Sequence, residues 1–429
     1  MQSSTLTIDS MRNEILKNTG DAEALEKLYN SNKKAFRAAF YEVFPEIGNT
    51  ETARVWKARL EYESGADILK TFPLSELLIV IAVCLIPAFL IKIPAIFPSL
   101  VSEDIFLQRN ISLIVFLGLA VYTMWRNGIT DLNKIILTGV AFLIPAVYIN
   151  LLPGGDPGDS MILAFIHLPV LMLYLFGFIF ANYDYRNTEI RIEFIRHTAE
   201  LVIVFGLIAI AGGILTAITI NLFSSIGLDI ENIYTEYIVA TGAAAAPVFA
   251  SWLLEKYPNM VSRIAPVIAG IFSPLVLITL IIFLLTFVIS GKDPYNDRDF
   301  LIIFNVMLLG VMAIIIFSVS ETSVIRKQKF NAAVLFALSI FTIVIDLIAL
   351  SAIFYRLGEY GMTPNRLAVL VSNILVLGNL ILIMTDLFRI NFRSGQFSKV
   401  ETTVARYLPV YLIWVLIVTF GFPLFFGMK

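Results

Sequence analysis

From Leu74 onward the chain is a succession of long apolar runs with short polar breaks, whereas before Leu74 apolar and polar positions are interleaved. In the interleaved part Asp21 stands where it can cap a helix carrying Leu25, Leu28 and Tyr29 on one face. Phe36, Ala39, Phe40, Val43 and Phe44 repeat at i, i+3, i+4, i+7 and i+8, and Pro45 is placed to end that helix. Asn49 or Thr50 starts a third, with Ala53, Trp56 and Leu60 aligned and Gly65 to stop it. Three short amphipathic helices can bury their stripes only against one another or against a partner. The pattern predicts a soluble helical cytoplasmic domain over residues 1–72. It either packs on the remainder of the chain or offers a docking surface to a cytoplasmic protein partner.

The apolar runs predict a different kind of domain over 73–429. Eleven segments reach the length and hydrophobicity of membrane spans: 75–97, 111–125, 133–152, 160–181, 198–223, 235–253, 264–290, 299–320, 331–354, 367–387 and 407–427. The expected fold class is therefore all-α, a polytopic transmembrane bundle of about eleven spans with a small N-terminal helical domain. Its first partner is the lipid bilayer. Composition agrees. Of 429 residues 58% are hydrophobic and only 15% charged, with a mean hydropathy of +0.83, against about 25% charged in an ordinary soluble domain.

Charge placement predicts orientation. Of the 31 Lys and Arg residues, all but Lys92, Arg109, Lys292, Arg298, Arg356, Arg366 and Lys429 fall in the N-terminal region or in the connections that share its side. By the positive-inside rule the N-terminus and segments such as "IRKQKF" and "FRINFRSGQFSKVETTVAR" are cytoplasmic, and the C-terminus is outside. The expected location is an inner membrane, the bacterial one by the family resemblance that residues 355–370 carry. A net charge of -2 gives no ground for nucleic-acid binding.

Within the spans, Ala209, Gly213 and Ala217 on the fifth and Gly242, Ala246 and Ala250 on the sixth stack small residues four apart, predicting a tight helix hairpin. Pro87, Pro94 and Pro98 should kink or break the end of the first span, with Lys92 reaching outward.

Few residues offer chemistry. The lone Cys84 leaves no disulfide or thiolate metal site within the chain, and His167 and His197 lie toward opposite ends of their spans, so no metal or cofactor is expected. His167 reads as a hydrogen-bonded bundle residue. The acids of "GGDPGD" and "GKDPYNDRDF" read as solvated loop acids, with loose cation binding the alternative. No G-x-S-x-G, phosphate loop or H-E-x-x-H pattern supplies a catalytic set.

One polar constellation remains. Ser339, Thr342 and Asp346 share a face of the ninth span. Ser372, Asn379 and Asp386 lie seven apart on the tenth, with Asn373 beside them. An intramembrane carboxylate is expected to face the bundle interior and to find partners. Asp346 is placed in the outer half of the membrane, with the two stripes facing each other. They form either interhelical hydrogen bonds or a proton or cation path.

Between these spans lies "YRLGEYGMTPNRLAVL". Gly361 can supply a turn, Thr363 and Pro364 can start the next helix, and Glu359 can pair with Arg356 or Arg366 as a clasp, an anion site being the alternative. This stretch resembles the signature turn of the bacterial membrane proteins grouped as domain of unknown function 4153. "SGKDPYNDRDFLIIFNVMLLGV" and "INLFSSIGLDI" are similar to that group's other recurrent stretches. The resemblance spans roughly 75–427 and implies Arg356, Glu359, Tyr360, Gly361, Thr363, Asn365 and Arg366 as marked positions, with Leu367 where an aromatic residue is expected. It implies no reaction. Three function classes are therefore open: an ion-coupled transporter using the polar path, a sensor, scaffold or assembly subunit using residues 1–72, and a membrane enzyme on lipid-linked substrates.

Overall fold

The computed structural model describes residues 8–64, 74–98, 102–154, 157–225, 229–256, 264–290, 295, 298–322 and 328–428. The chain divides into two compact units, Met1–Leu78 and Ile79–Lys429.

The first unit holds four helices rather than three: α1 (Ile8–Lys17), α2 (Ala22–Ser31), α3 (Lys33–Ile47) and α4 (Glu51–Ser64). The added helix, α1, contributes only Met11 and Ile15 to the core, too short a stripe to stand out as a pattern. Asp21 accepts from the Glu23 and Ala24 amides at 3.0 Å, and Asn32 and Thr50 cap α3 and α4 in the same way. Pro45 does not end α3, which continues to Ile47. So close to the end, the missing N–H removes one bond from the last turn and leaves the rest of the helix intact. Tyr29, Phe36 and Trp56 meet at the centre with ring centroids 5.0–5.5 Å apart. Gly65 lies outside the described residues.

Among its described residues the second unit is built of helices joined by short turns, without strands. It comprises α5 (Leu74–Leu90), α6 (Ile93–Ile96), α7 (Glu103–Arg126), α8 (Leu132–Leu151), α9 (Asp159–Phe180), α10 (Thr188–Ser225), α11 (Glu231–Lys256), α12 (Ile264–Ser290), α13 (Arg298–Thr322), α14 (Gln328–Tyr360), α15 (Pro364–Phe392) and α16 (Phe397–Phe425). Among the described residues eight of these are long and apolar enough to cross a bilayer, and three shorter apolar stretches, Ser75–Leu90, Ser273–Leu285 and Phe304–Ser320, accompany them. Large side chains such as Leu132, Ile144, Leu151 and Leu285 are exposed. That distribution is unsuited to water and compatible with a multi-pass membrane protein.

Two cores organise the unit. Leu280, Ile315, Leu338, Leu380 and Val404 join α12 to α16. Ala120, Ile149, Leu168 and Val415 join α7, α8, α9 and again α16, which therefore belongs to both.

Two expected features differ. The stripe Ala209, Gly213, Ala217 is exposed, and a Cβ added at Gly213 or Gly242 would meet nothing. α10 and α11 instead meet through Leu201, Val204, Ala250 and Leu254. The close approach falls at Gly118, where a Cβ would come 2.9 Å from Val248 and 3.1 Å from Pro87. Larger side chains nearer the start of α10 provide more burial than the small stripe, so they set the interface. Pro87 is accommodated inside α5 and the break comes after Leu90. Lys92 does not snorkel. Only 12% of its side chain is exposed; its Nζ lies 3.3 Å from Glu236 Oε1 and 4.5 Å from the Tyr237 ring centroid. A π-helical turn over Tyr234–Val239 carries both partners, and an acid and an aromatic face within reach outweigh a longer route to water.

Candidate functional site

The polar residues of α15 are spent on their neighbours, and α16 supplies most of the partners. Thr403 Oγ1 donates to Asp386 Oδ2 at 2.6 Å, Asn379 Nδ2 to Tyr411 Oη at 3.1 Å, and Trp414 Nε1 to Ser372 Oγ at 2.9 Å. As position falls from 386 to 372 along α15, the partner rises from 403 to 414 along α16. That is the register of an antiparallel polar zipper. Tyr407 adds a bond to the Leu375 carbonyl at 2.9 Å. Asn373, a step around the helix, donates instead to Asn305 Oδ1 of α13 at 2.9 Å. Arg389 Nη1 completes Asp386 at 3.2 Å. Among the described residues no hydrogen bond joins the α15 stripe to that of α14. Thr403, Tyr407, Tyr411 and Trp414, spaced four, four and three, were a legible helical stripe that the carboxylates overshadowed.

The α14 stripe is buried and self-contained. Ser339 and Thr342 donate to the carbonyls of Leu335 at 2.8 Å and Leu338 at 2.6 Å, four residues back. Asp346 is 0% exposed, and neither of its carboxyl oxygens has a hydrogen-bond partner. Asn379 Oδ1 is likewise buried and unpartnered. By chain count from the α14–α15 turn, Asp346 and Asn379 lie at matching depth, about 21–22 Å at 1.5 Å per residue. That is near the middle of both helices by residue count. Tyr411, bonded to Asn379, is within electrostatic reach of Asp346. Orphaned acceptors from two helices thus occupy similar depth by chain count, and one of them, Asn379, bonds the Tyr411 phenol through its amide. Among the described residues only one carboxyl, that of Asp346, is buried without a hydrogen-bond partner on either oxygen. A single unit of positive charge would complete the site, and a divalent ion would not be neutralised. Among the described residues no group of three His, Cys, Asp or Glu side chains converges for a metal ion.

The turn between α14 and α15 is built from backbone carbonyls. Gly361, at φ +73°, closes α14, its amide bonded to the Leu357 carbonyl at 3.1 Å. Thr363 Oγ1 accepts from the Arg366 amide at 3.3 Å to cap α15, and Pro364 occupies the first turn. Arg366 Nη1 donates to the carbonyls of Tyr360 and Gly361, each at 2.7 Å, with its guanidinium 5.5 Å from the Tyr360 ring centroid. Glu359 is exposed and forms no ion pair among the described residues, nor does Arg356; Asn365 is half-buried in the first turn of α15. The expected Glu359 clasp is replaced by an arginine cap. The last carbonyls of a helix are unsatisfied and carry its negative end, so they capture the guanidinium.

Further polar groups lay outside the sequence reading. Arg109, buried on α7, donates to the carbonyls of Asn150, Leu152 and Pro153 at 2.6–3.3 Å and so closes the end of α8. Asn110 and Asn150 exchange amide bonds at 3.0 and 2.7 Å. Glu255 of α11 meets Arg126 and Tyr122 of α7, each at 2.8 Å, and Arg196 of α10 lies 3.7 Å from Glu401 of α16. Each of these pairs joins two elements, so they act as ties. His167 Nδ1 lies 2.8 Å from the Leu163 carbonyl, and His197 stacks near Phe180. Gly155 and Asp156 of the first acidic loop, most of "GKDPYNDRDF", and Lys327 lie outside the described residues.

Compared with known proteins, the chain matches no family model, no curated protein and no solved structure.

Proposed function

We propose that this protein is an ion-coupled membrane transporter in which Asp346 binds the coupling ion, a proton, with Tyr411 and Asn379 as its polar surround. The observation that carries this reading is a fully buried carboxyl whose two oxygens have no partner, in a bundle where each polar side chain of the neighbouring α15 stripe bonds at least one other side chain. Burying a polar group unpaired costs about 1–3 kcal/mol, and an intramembrane acid of this kind is retained where it binds something in transit. Three extensions belong to the same reading. The eleven apolar helices are eleven crossings, with residues 1–72 cytoplasmic and the C-terminus outside, as the charge distribution implies. The membrane is a bacterial inner membrane. The turn motif makes the chain a member of the group named domain of unknown function 4153.

The test is proton movement into liposomes containing the purified protein and an entrapped pH-sensitive dye, under an imposed pH gradient. Wild type should carry protons, Asp346→Glu should retain part of that flux, and Asp346→Asn should abolish it while eluting as a folded monodisperse species. Equal flux in wild type and Asp346→Asn would contradict the proposal. The scaffold reading, in which residues 1–72 hold a cytoplasmic partner, would then replace it.

A further inference from the structure

A second feature has a lining that includes none of Asp346, Asn379 and Tyr411. Helices α9, α10, α13 and α16 leave between them a cavity of about 780 Å³, walled by side chains such as Leu173, Val202, Ile314 and Leu412. Its lining runs from Val170 to Ala181 along α9 and from Arg191 to Ile203 along α10. At 1.5 Å per residue that is about 17–18 Å, roughly one leaflet of a ~30 Å hydrocarbon core.

The wall is predominantly apolar, with the phenol of Tyr174 partway along α9, and its charge lies at one end, where α9 stops and α10 begins. There Arg191 lines the cavity together with Tyr185 and, one to two turns further along α10, Thr198. Arg191 donates to the carbonyls of Ala405 at 2.8 Å and Arg186 at 3.3 Å. Its Nε is buried without a partner, as is Thr198 Oγ1. No carboxylate pairs with Arg191 among the described residues. A guanidinium with spare donors and no counter-ion therefore closes one end of a leaflet-deep apolar slot. Arg186, bonded to Tyr185 at 3.3 Å, is exposed and has the Asp184 carboxylate within reach, so the charge without a carboxylate partner at this end is that of Arg191.

We infer that this cavity is a binding site for an anionic phospholipid of the surrounding bilayer. One acyl chain lies in the slot, and the headgroup phosphate accepts from Arg191. The length suits a chain from one leaflet, and the uncompensated charge suits an anion; a guanidinium offers parallel donors to phosphate oxygens. A slot filled by bulk lipid tails alone would show no headgroup preference.

Native mass spectrometry of the full chain tests this, after release from nanodiscs made of equal parts phosphatidylglycerol and phosphatidylcholine. The wild-type protein should retain one phosphatidylglycerol molecule with a preference on the order of tenfold over phosphatidylcholine, about 1.4 kcal/mol. Arg191→Gln should remove the preference, and Ala199→Trp, which fills the slot while leaving Arg191 in place, should remove the bound lipid. Equal retention of both lipids by wild type would overturn the inference. So would a retained phosphatidylglycerol in Ala199→Trp, a readout that stands even if Arg191→Gln proves unstable. Neither variant alters Asp346, so loss of proton flux and loss of lipid selectivity are separable failures.

Discussion

The polar stripes of α14 and α15 sit on consecutive helices, look alike in sequence and do opposite things. On α15, Ser372, Asn373, Asn379 and Asp386 each bond a side chain of another helix, and Thr403 and Arg389 both reach Asp386. On α14 the two hydroxyls bond their own helix and Asp346 bonds nothing. A polar residue in a bundle is structural when a neighbouring helix answers it. Where none does, its cost is offset by something else, and for Asp346 the proposed offset is ion binding.

Substitutions should separate the two stripes by sign. Asp386→Leu leaves the Thr403 hydroxyl and Arg389 without their acceptor. Hydrogen bonds to charged groups are worth about 1.5–3 kcal/mol, so a loss of about 2–3 kcal/mol is expected in denaturant unfolding of the micellar protein. Arg389 is partly exposed and contributes the smaller share. Asp346→Leu should act in the other direction. Removing two orphaned oxygens at similar volume is expected to stabilise the bundle by about 1–2 kcal/mol while eliminating proton flux. If Asp346→Leu destabilises as much as Asp386→Leu, the contrast between the stripes is wrong.

Two smaller effects sharpen the picture. Asn373→Leu breaks the amide pair with Asn305, and such interhelical bonds average about 0.6 kcal/mol with a maximum near 1.7. A double-mutant cycle with Asn305→Leu should recover most of that as coupling. Glu359→Gln should move stability by less than about 0.5 kcal/mol, as for a surface position without a special contact. Arg366→Ala, which uncovers the last carbonyls of α14, should cost more than Glu359→Gln. A cycle that couples Glu359 to Arg366 would restore the ion-pair clasp.

Hydrophobic spacing made most of the helices legible, because the apolar runs of the second unit and the stripes of α2, α3 and α4 are strong periodic signals. Helix α1 was missed because two core residues make a faint stripe. The burial of Asp346 was legible from its setting in a long apolar run. The direction of the α15 stripe was not, since which neighbour a helix face meets depends on how many helices pack together. Backbone acceptors are also invisible in a residue string. Arg109 and Arg366 both look like candidates for acidic partners and both cap helix ends instead.

The most direct test of the central claim is whether Asp346 exchanges a proton in the membrane. Infrared spectra of the reconstituted protein should contain a protonated-carboxyl carbonyl band that appears and disappears reversibly as pH is changed, and Asp346→Asn should delete that band alone. A band that is assigned to Asp346 but stays constant at every pH at which the protein is folded would make the carboxyl a permanently neutral packing element and contradict the account.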